Sequence, residues 1–330
     1  MTRFAALGRE LRAVWMLLIV ALILFIATPF FLTTSNLLAI VLAASITALL
    51  AIGQTFVIIL AEIDLSVGAM LGFTGVITAL AIPDLGLVGS LLVGVLAGAA
   101  AGLINGLLVT KVNMPSFIAT LATMSILSGL TLYITQGNPR TVTSSGFKTI
   151  GQGNLVGVPN PIWILLACTI VFGIALARTK FGRQVYATGD NFEAARLSGM
   201  PVDRIKIAAF MISGVLAAIA GFILTARLGT AQPTAGVGLE LTAIAAVIIG
   251  GTSLTGGRGA VVGTVIGALL LGTIDNGLNL LNVSPFLQDV VKGAVILFAV
   301  LVDRNSELFR NSVNTITRAL PGSRSSAKAS

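Results

Sequence analysis

Apolar runs of about twenty residues recur along the whole chain, separated by short polar connections. The first five cover Ala13–Leu32, Leu37–Leu60, Leu65–Ile82, Leu87–Thr110 and Ser116–Thr135. Five more cover Pro161–Ala177, Ile207–Ala226, Leu241–Leu254, Ala260–Leu281 and Pro285–Val302. A helix needs about twenty apolar residues to cross a hydrocarbon layer of about 30 Å. The pattern therefore predicts an all-α polytopic membrane protein with about ten transmembrane helices. Leu241–Leu254 is short enough to be a half-helix.

Composition agrees with the pattern. Of 330 residues, 56% are hydrophobic and 10% charged, with a mean hydropathy of +1.01, whereas a soluble domain carries about 25% charge. One membrane domain over 1–303 is expected rather than two soluble ones, with a polar, disordered tail over 304–330. Arg3, Arg9 and Arg12 stand ahead of Ala13–Leu32 as in a signal peptide. That run is too long for a signal core and no small-residue cleavage site follows it, so it reads as an uncleaved first helix. The single Cys168 lies in an apolar run as a packing residue, and the chain has no histidine. Imidazole metal sites are thereby excluded. The acids are scattered over different connections, so no catalytic set is visible and the chain is not expected to be an enzyme.

The net charge of +8 forms no basic stripe, so nucleic acid is not an expected partner. Sidedness accounts for it better. With a cytoplasmic N-terminus, sixteen Lys and Arg fall inside, against Arg140, Lys148 and Arg227 outside, while Lys292 lies within the last run. Both termini are then cytoplasmic, and Gln136–Asn160 is the largest external loop. Gly102–Leu107 reads GLINGL and Gly272–Leu278 reads GTIDNGL; an Asn-x-x-x-Phe pattern follows each, at Asn113–Phe117 and Asn282–Phe286. The two copies are five runs apart, which points to an inverted repeat of spans 2–5 and 7–10.

The basic, polar stretch Arg178–Lys206 lies between two apolar runs. Asp190 and Glu193 stand as an N-cap and a third-position acid, Gly199 suits a left-handed stop, and Pro201 ends continuation. A helix of about two turns is expected over Asn191–Ser198. So short a helix needs packing, either on its own protein or on another.

Glu193-Ala194-Ala195, followed by three residues and Gly199, resembles the EAA-x-x-x-G loop of ABC importer permeases. Glu62-Ile63-Asp64-Leu65-Ser66-Val67-Gly68 looks like the [GE]IDLSVG motif of the ribose-type sugar permeases. Ala226–Gly272 and Asn276–Leu281 are similar to the same family. The resemblance implies the permease subunit of an ATP-driven monosaccharide importer in the bacterial plasma membrane. It implies cytoplasmic ATPase subunits that carry ATP and Mg, an extracytoplasmic sugar-binding protein, and a second permease subunit, either a second copy or a paralogue. No cofactor is implied on this chain. The ATPase-coupling residues would be Asp190, Asn191, Glu193, Ala194, Ala195, Arg196 and Gly199.

Asp64 and Ser66 either cap the third span at the inner surface or lie deeper and line a path. Gln54, Asn105, Asp275, Asn276, Asn279, Gln288 and Asp289 sit in or beside apolar runs. They are candidates for contact with a passing sugar or for hydrogen bonds between helices. Arg227, Gln232 and Pro233 lie in an external connection that would meet a binding protein or simply face solvent. Gly250–Gly259 reads GGTSLTGGRG, but Gly257 and Arg258 stand where a phosphate-binding loop needs Lys and Ser or Thr. Its glycines, with Gly263 and Gly267, suit close helix packing instead. A stand-alone carrier using Asp64, Asp275 or Asp289 is the competing reading, and a membrane scaffold without a pathway is a third. The sidedness predicts that Ser145→Cys is labelled by an impermeant thiol reagent from outside the cell and Ser198→Cys only from inside; the reverse pattern would overturn the topology.

Overall fold

The computed structural model describes residues 2–295, 297 and 301, and of residues 2–11 the backbone alone. The expected tail over 304–330 and the end of the Pro285–Val302 run lie outside the described residues. The chain folds into α1 (Thr2–Ala27), α2 (Thr34–Ile59), α3 (Val67–Thr110), α4 (Ser116–Thr135), β1 (Arg140–Thr141), α5 (Ser145–Gln152), β2 (Asn154–Leu155) and β3 (Val158–Pro159). It continues with α6 (Asn160–Arg178), α7 (Lys180–Asp190), α8 (Phe192–Leu197), α9 (Val202–Leu228), β4 (Thr230–Ala231), α10 (Leu239–Ile249) and α11 (Val261–Leu280), and is helical again from Pro285. Among the described residues, α2, α3, α4, α6, α9 and α11 are long and apolar enough to cross a membrane. The apolar part of α1 and all of α10 are shorter. This is a mostly helical membrane protein, as expected where lipid leaves the backbone no water to bond and a helix satisfies its own amides.

The 44 residues of α3 are two arms rather than one rod. Gly86 has φ 63° and ψ −168°, a conformation open in practice only to glycine, and Pro83 precedes it. A side-chain carbon built on Gly94 would lie 2.3 Å from the Thr78 hydroxyl. Those residues would be about 24 Å apart on a straight helix, so the chain doubles back at Gly86. The two apolar runs expected over Leu65–Ile82 and Leu87–Thr110 correspond to these arms.

At the centre stands α9, packed along both arms of α3 and against α2. The seam is built from absent side chains. A Cβ on Gly98 would lie 2.3 Å from the Gly214 carbonyl oxygen, one on Gly102 2.2 Å from the Phe210 carbonyl, and one on Gly106 2.7 Å from the Ile207 Cα. As the α3 number rises the α9 number falls, so the second arm runs antiparallel to α9. Glycines four apart at 94, 98, 102 and 106 share one helix face, which lets the backbones touch and gain dispersion that lipid cannot match. Gly250, Gly263 and Gly267 do the same for α10 and α11, as the sequence suggested. Cys168 is buried in the core cluster.

The loop after α4 is ordered over the end of α9. β1 pairs antiparallel with β4, β2 with β3, and α5 packs its amphipathic face on α9. Phe147, fully buried, meets Phe222 edge-on with ring centroids 5.0 Å apart. Gly98→Ala is therefore expected to cost about 2 kcal/mol or more by overpacking. Gly129→Ala, at a site with nothing within 4 Å, should be neutral or stabilising by up to about 1 kcal/mol. Unfolding in detergent followed by circular dichroism tests both; equal tolerance would refute the seam.

Candidate functional site

Between α2 and α3 the chain leaves helical geometry at Ala61, with φ 59°, and runs irregularly to a turn at Leu65 and Ser66. Asp64 in this break is fully buried. A buried carboxylate needs donors on both oxygens, and the surrounding helices supply them. Oδ1 accepts from the Ser66 amide at 2.9 Å and the Ser66 hydroxyl at 2.5 Å, and Oδ2 accepts from Ser213 on α9 at 3.0 Å. Asn105 on the second arm of α3 donates to the Ser66 hydroxyl at 2.9 Å, and Thr123 on α4 donates to the Asn105 carbonyl oxygen at 2.6 Å. The Gln54 amide on α2 donates to the Asp64 carbonyl. On α4, Ser116 and Thr120 accept the amides of Ile63 and Leu65, each at 3.1 Å. α2, α3, α4 and α9 thus contribute to one network.

Gln54, Asp64, Ser66 and Asn105 are brought together here, each fully buried. Ser66 makes no side-chain cap on α3, and Asp64 accepts the amide of Ser66 itself. Ser116, Thr120, Thr123 and Ser213 were not singled out in the sequence. Ser116, Thr120 and Thr123 stand four and three residues apart on one face of α4, and that spacing was the available signal.

A second polar group lies at the other end of α2 and α11. Asn36 and Asn276 exchange side-chain hydrogen bonds of 3.1 and 2.8 Å, and Gln288 donates to Asn279 at 3.0 Å. Lys292 lies 3.5 Å from Asp275 and 3.9 Å from Asp289. Asp275, Asn276 and Asn279 line a cavity of 260 Å³ together with Thr47, Arg227 and Thr242. Arg227 belongs to the last turn of α9 rather than to an external connection, which corrects the expectation for that residue. The cavity mixes a cation, an acid, amides and hydroxyls along an otherwise apolar wall of Ala39, Ile40, Ala43, Ala44 and Leu271.

The polar stretch holds two helices, not one. The Thr179 hydroxyl accepts the Gly182 amide at 3.1 Å and starts α7, which runs on through Asp190. Asp190 therefore ends a helix, and the cap of α8 is Asn191, whose Oδ1 accepts the Ala194 amide at 2.9 Å. The reason is backbone geometry: Asn191 is extended, at φ −156° and ψ 101°, as an N-cap must be. The helix is accordingly Phe192–Leu197 instead of Asn191–Ser198. Gly199 does take the left-handed stop, at φ 78°, and Met200 N donates to the Ala195 carbonyl at 3.1 Å in a Schellman closure. Only Ala195 of α8 is buried; Glu193, Ala194, Arg196 and the apolar Phe192 and Leu197 are exposed.

This stretch lies against both irregular connections at its end of the molecule. Gly257 N donates to the Ile59 carbonyl at 2.8 Å, the Tyr186 hydroxyl to the Gly259 carbonyl at 2.7 Å, and Gly189 abuts Ile59. Beyond α8, Asp203 pairs with Lys111 at 2.7 Å and Arg196 at 3.4 Å, and Lys206 pairs with Glu62.

The profile of the family described as branched-chain amino acid transport system / permease component matches residues 36–300. The chain is 49% identical over 291 residues to the ribose import permease protein RbsC of Bacillus subtilis, covering 87% of this chain and 90% of that one. It is 45% identical to RbsC of Escherichia coli K12, with 90% and 94% covered. It is 42% identical to the L-arabinose transport system permease protein AraH of the same strain, with 90% and 92% covered. No solved structure matches the chain.

Asp64→Ala would strand the Ser66 and Ser213 donors, and a stability loss of about 3 kcal/mol is expected. Asp64→Asn keeps the shape but offers one acceptor oxygen in place of two, and should lose about half as much. Thermal unfolding of the purified variants in detergent checks the order; an unchanged midpoint for Asp64→Ala would refute the clamp.

Proposed function

The chain belongs to the permease-component family whose profile spans residues 36–300, and on that premise we propose that it is the membrane-spanning permease subunit of an ATP-binding-cassette importer that moves a monosaccharide across the bacterial inner membrane. The observation that carries this reading is identity of 42–49% over about nine-tenths of the chain to ribose and L-arabinose permeases. The substrate class is accordingly a ribose-like pentose, another sugar or a polyol.

The finer organisation is part of the proposal. About ten spans with both termini cytoplasmic follow if α1 and α10 also cross, the two arms of α3 count separately and the helix from Pro285 crosses once more. An inverted repeat is supported by two matching corners: Asn113, after α3, and Asn282, after α11, are both left-handed, at φ 56° and 53°. The cavity lined by Arg227, Asp275, Asn276 and Asn279 is read as part of the solute path, since hydroxyl-rich solutes need donors and acceptors held weakly enough to exchange. The exposed α8, with Glu193, Ala194, Arg196 and Gly199, is read as the docking element for a cytoplasmic ATPase. Asp190 and Asn191 flank it. That partner carries ATP and Mg; a second permease subunit and an extracytoplasmic sugar-binding protein complete the assembly.

The physics of coupling is then population shift. A partner that binds α8 differently in its ATP-bound and empty states biases the inward- and outward-facing states by that difference alone. In proteoliposomes holding the full complex, inactivating the ATPase should reduce uptake of D-ribose to background, and Gly199→Trp should abolish copurification of the ATPase while leaving the chain in the membrane. Undiminished uptake, or transport by the purified chain alone, would overturn the reading in favour of a stand-alone carrier.

A further inference from the structure

Lys206 and Glu62 are mostly buried, with side chains 19% and 14% exposed, and they join α9 to the break before α3. Their surroundings make this pair unlike the others at this end. The Lys206 ammonium also lies 5.9 Å from the centre of the Phe192 ring on α8. One side chain therefore touches both the exposed helix and the irregular connection. Seven residues further along α9, on the same face, Ser213 holds Asp64 of the same break. So α9 grips the break twice, and displacement of its first turns acts on Glu62 before it reaches Asp64.

The break is secured from outside its own backbone. Its amides at Ile63 and Leu65 are held by hydroxyls of α4 and not by a helix ladder, so they can exchange partners without unwinding a helix. The alternative links from α8 are weaker carriers. Arg196 and Lys111, which meet Asp203, are 65% and 59% exposed, and pairs of that kind contribute little. A pair withdrawn from water is different, because each charge is tolerated there only while the other is in place. Separating the pair would therefore leave each charge uncompensated.

We propose that the Lys206–Glu62 pair is the latch that passes movement of α8 to the Ala61–Ser66 break, with Lys206 as a positioning residue for gating. The proposal rests on the reading that α8 meets the ATPase. When α8 shifts, Phe192 carries the Lys206 side chain with it, Glu62 either follows or is released, and the clamp around Asp64 is loaded through Ser213 and Asn105.

The test uses the complete complex in lipid nanodiscs, with spin labels at Ala61→Cys and Val112→Cys in a Cys168→Ser background. The distance between the labels is read with and without ATP and vanadate, and uptake of D-ribose per ATP hydrolysed is measured in liposomes. Lys206→Met and Glu62→Gln should still copurify the ATPase and hydrolyse ATP, while the ATP-driven population shift and the uptake per ATP fall by about fivefold or more, the low end of coupling between sites. The exchange Glu62→Lys with Lys206→Glu should restore at least about half of both, as expected of a pairwise interaction. Single variants that respond to ATP like the wild type would overturn the latch, as would a loss that the exchange does not restore or one that removes the ATPase from the complex. A wild-type complex that never assembles with an ATPase would instead overturn the underlying reading.

Discussion

A carboxyl group withdrawn from water, between apolar helices, must have both oxygens answered by hydrogen-bond partners, and Asp64 imposes that condition on the elements around it. It takes donors from its own break and from α9, while the break takes further hydrogen bonds from α2, the second arm of α3 and α4. Because so many elements answer to one group, their relative positions are set more tightly than apolar packing in lipid could set them. Lipid tails are as apolar as leucine, so there is little hydrophobic drive between helices.

The glycine seam is the second half of the same solution. Ser213 reaches Asp64, and Asn105 reaches Ser66, only if α9 and the second arm of α3 approach to backbone contact. Gly98, Gly102, Gly106 and Gly214 allow that approach. The seam thus serves the polar network, and the network in turn fixes the register of the seam. Function follows from where this assembly ends. Its irregular connections gather beside α7 and α8, while the cavity with Arg227 and Asp275 lies toward the opposite end of α9 and α11.

Much of this was legible in the chain. Apolar runs marked the helices, including a short α10, and Gly199 announced the end of α8. The family motifs led to a permease, in agreement with the relatives. Other parts were legible only in outline. The α8 cap moved from Asp190 to Asn191 because two polar residues side by side can both serve, and the choice depends on where α7 stops. Arg227 was assigned to a connection because a charge ends an apolar run, although its helix continues through it. A helix packed against polar neighbours does not have to end where its hydrophobicity does.

Hydropathy and motif spacing, which are local properties, determined by themselves the class of this protein and most of its helices. The tertiary structure alone decided which of the scattered polar residues share a site. The Asp64–Ser66 motif, Gln54 and Asn105 stood apart along the sequence and Ser213 did not stand out at all; packing made them one network. Asp275, Asn276 and Asn279 looked equivalent to them, yet they face a cavity. The physical reason is that a buried polar group is answered by whichever donor the fold brings within about 3 Å, and that partner can be far away in sequence, as Ser213 is from Asp64.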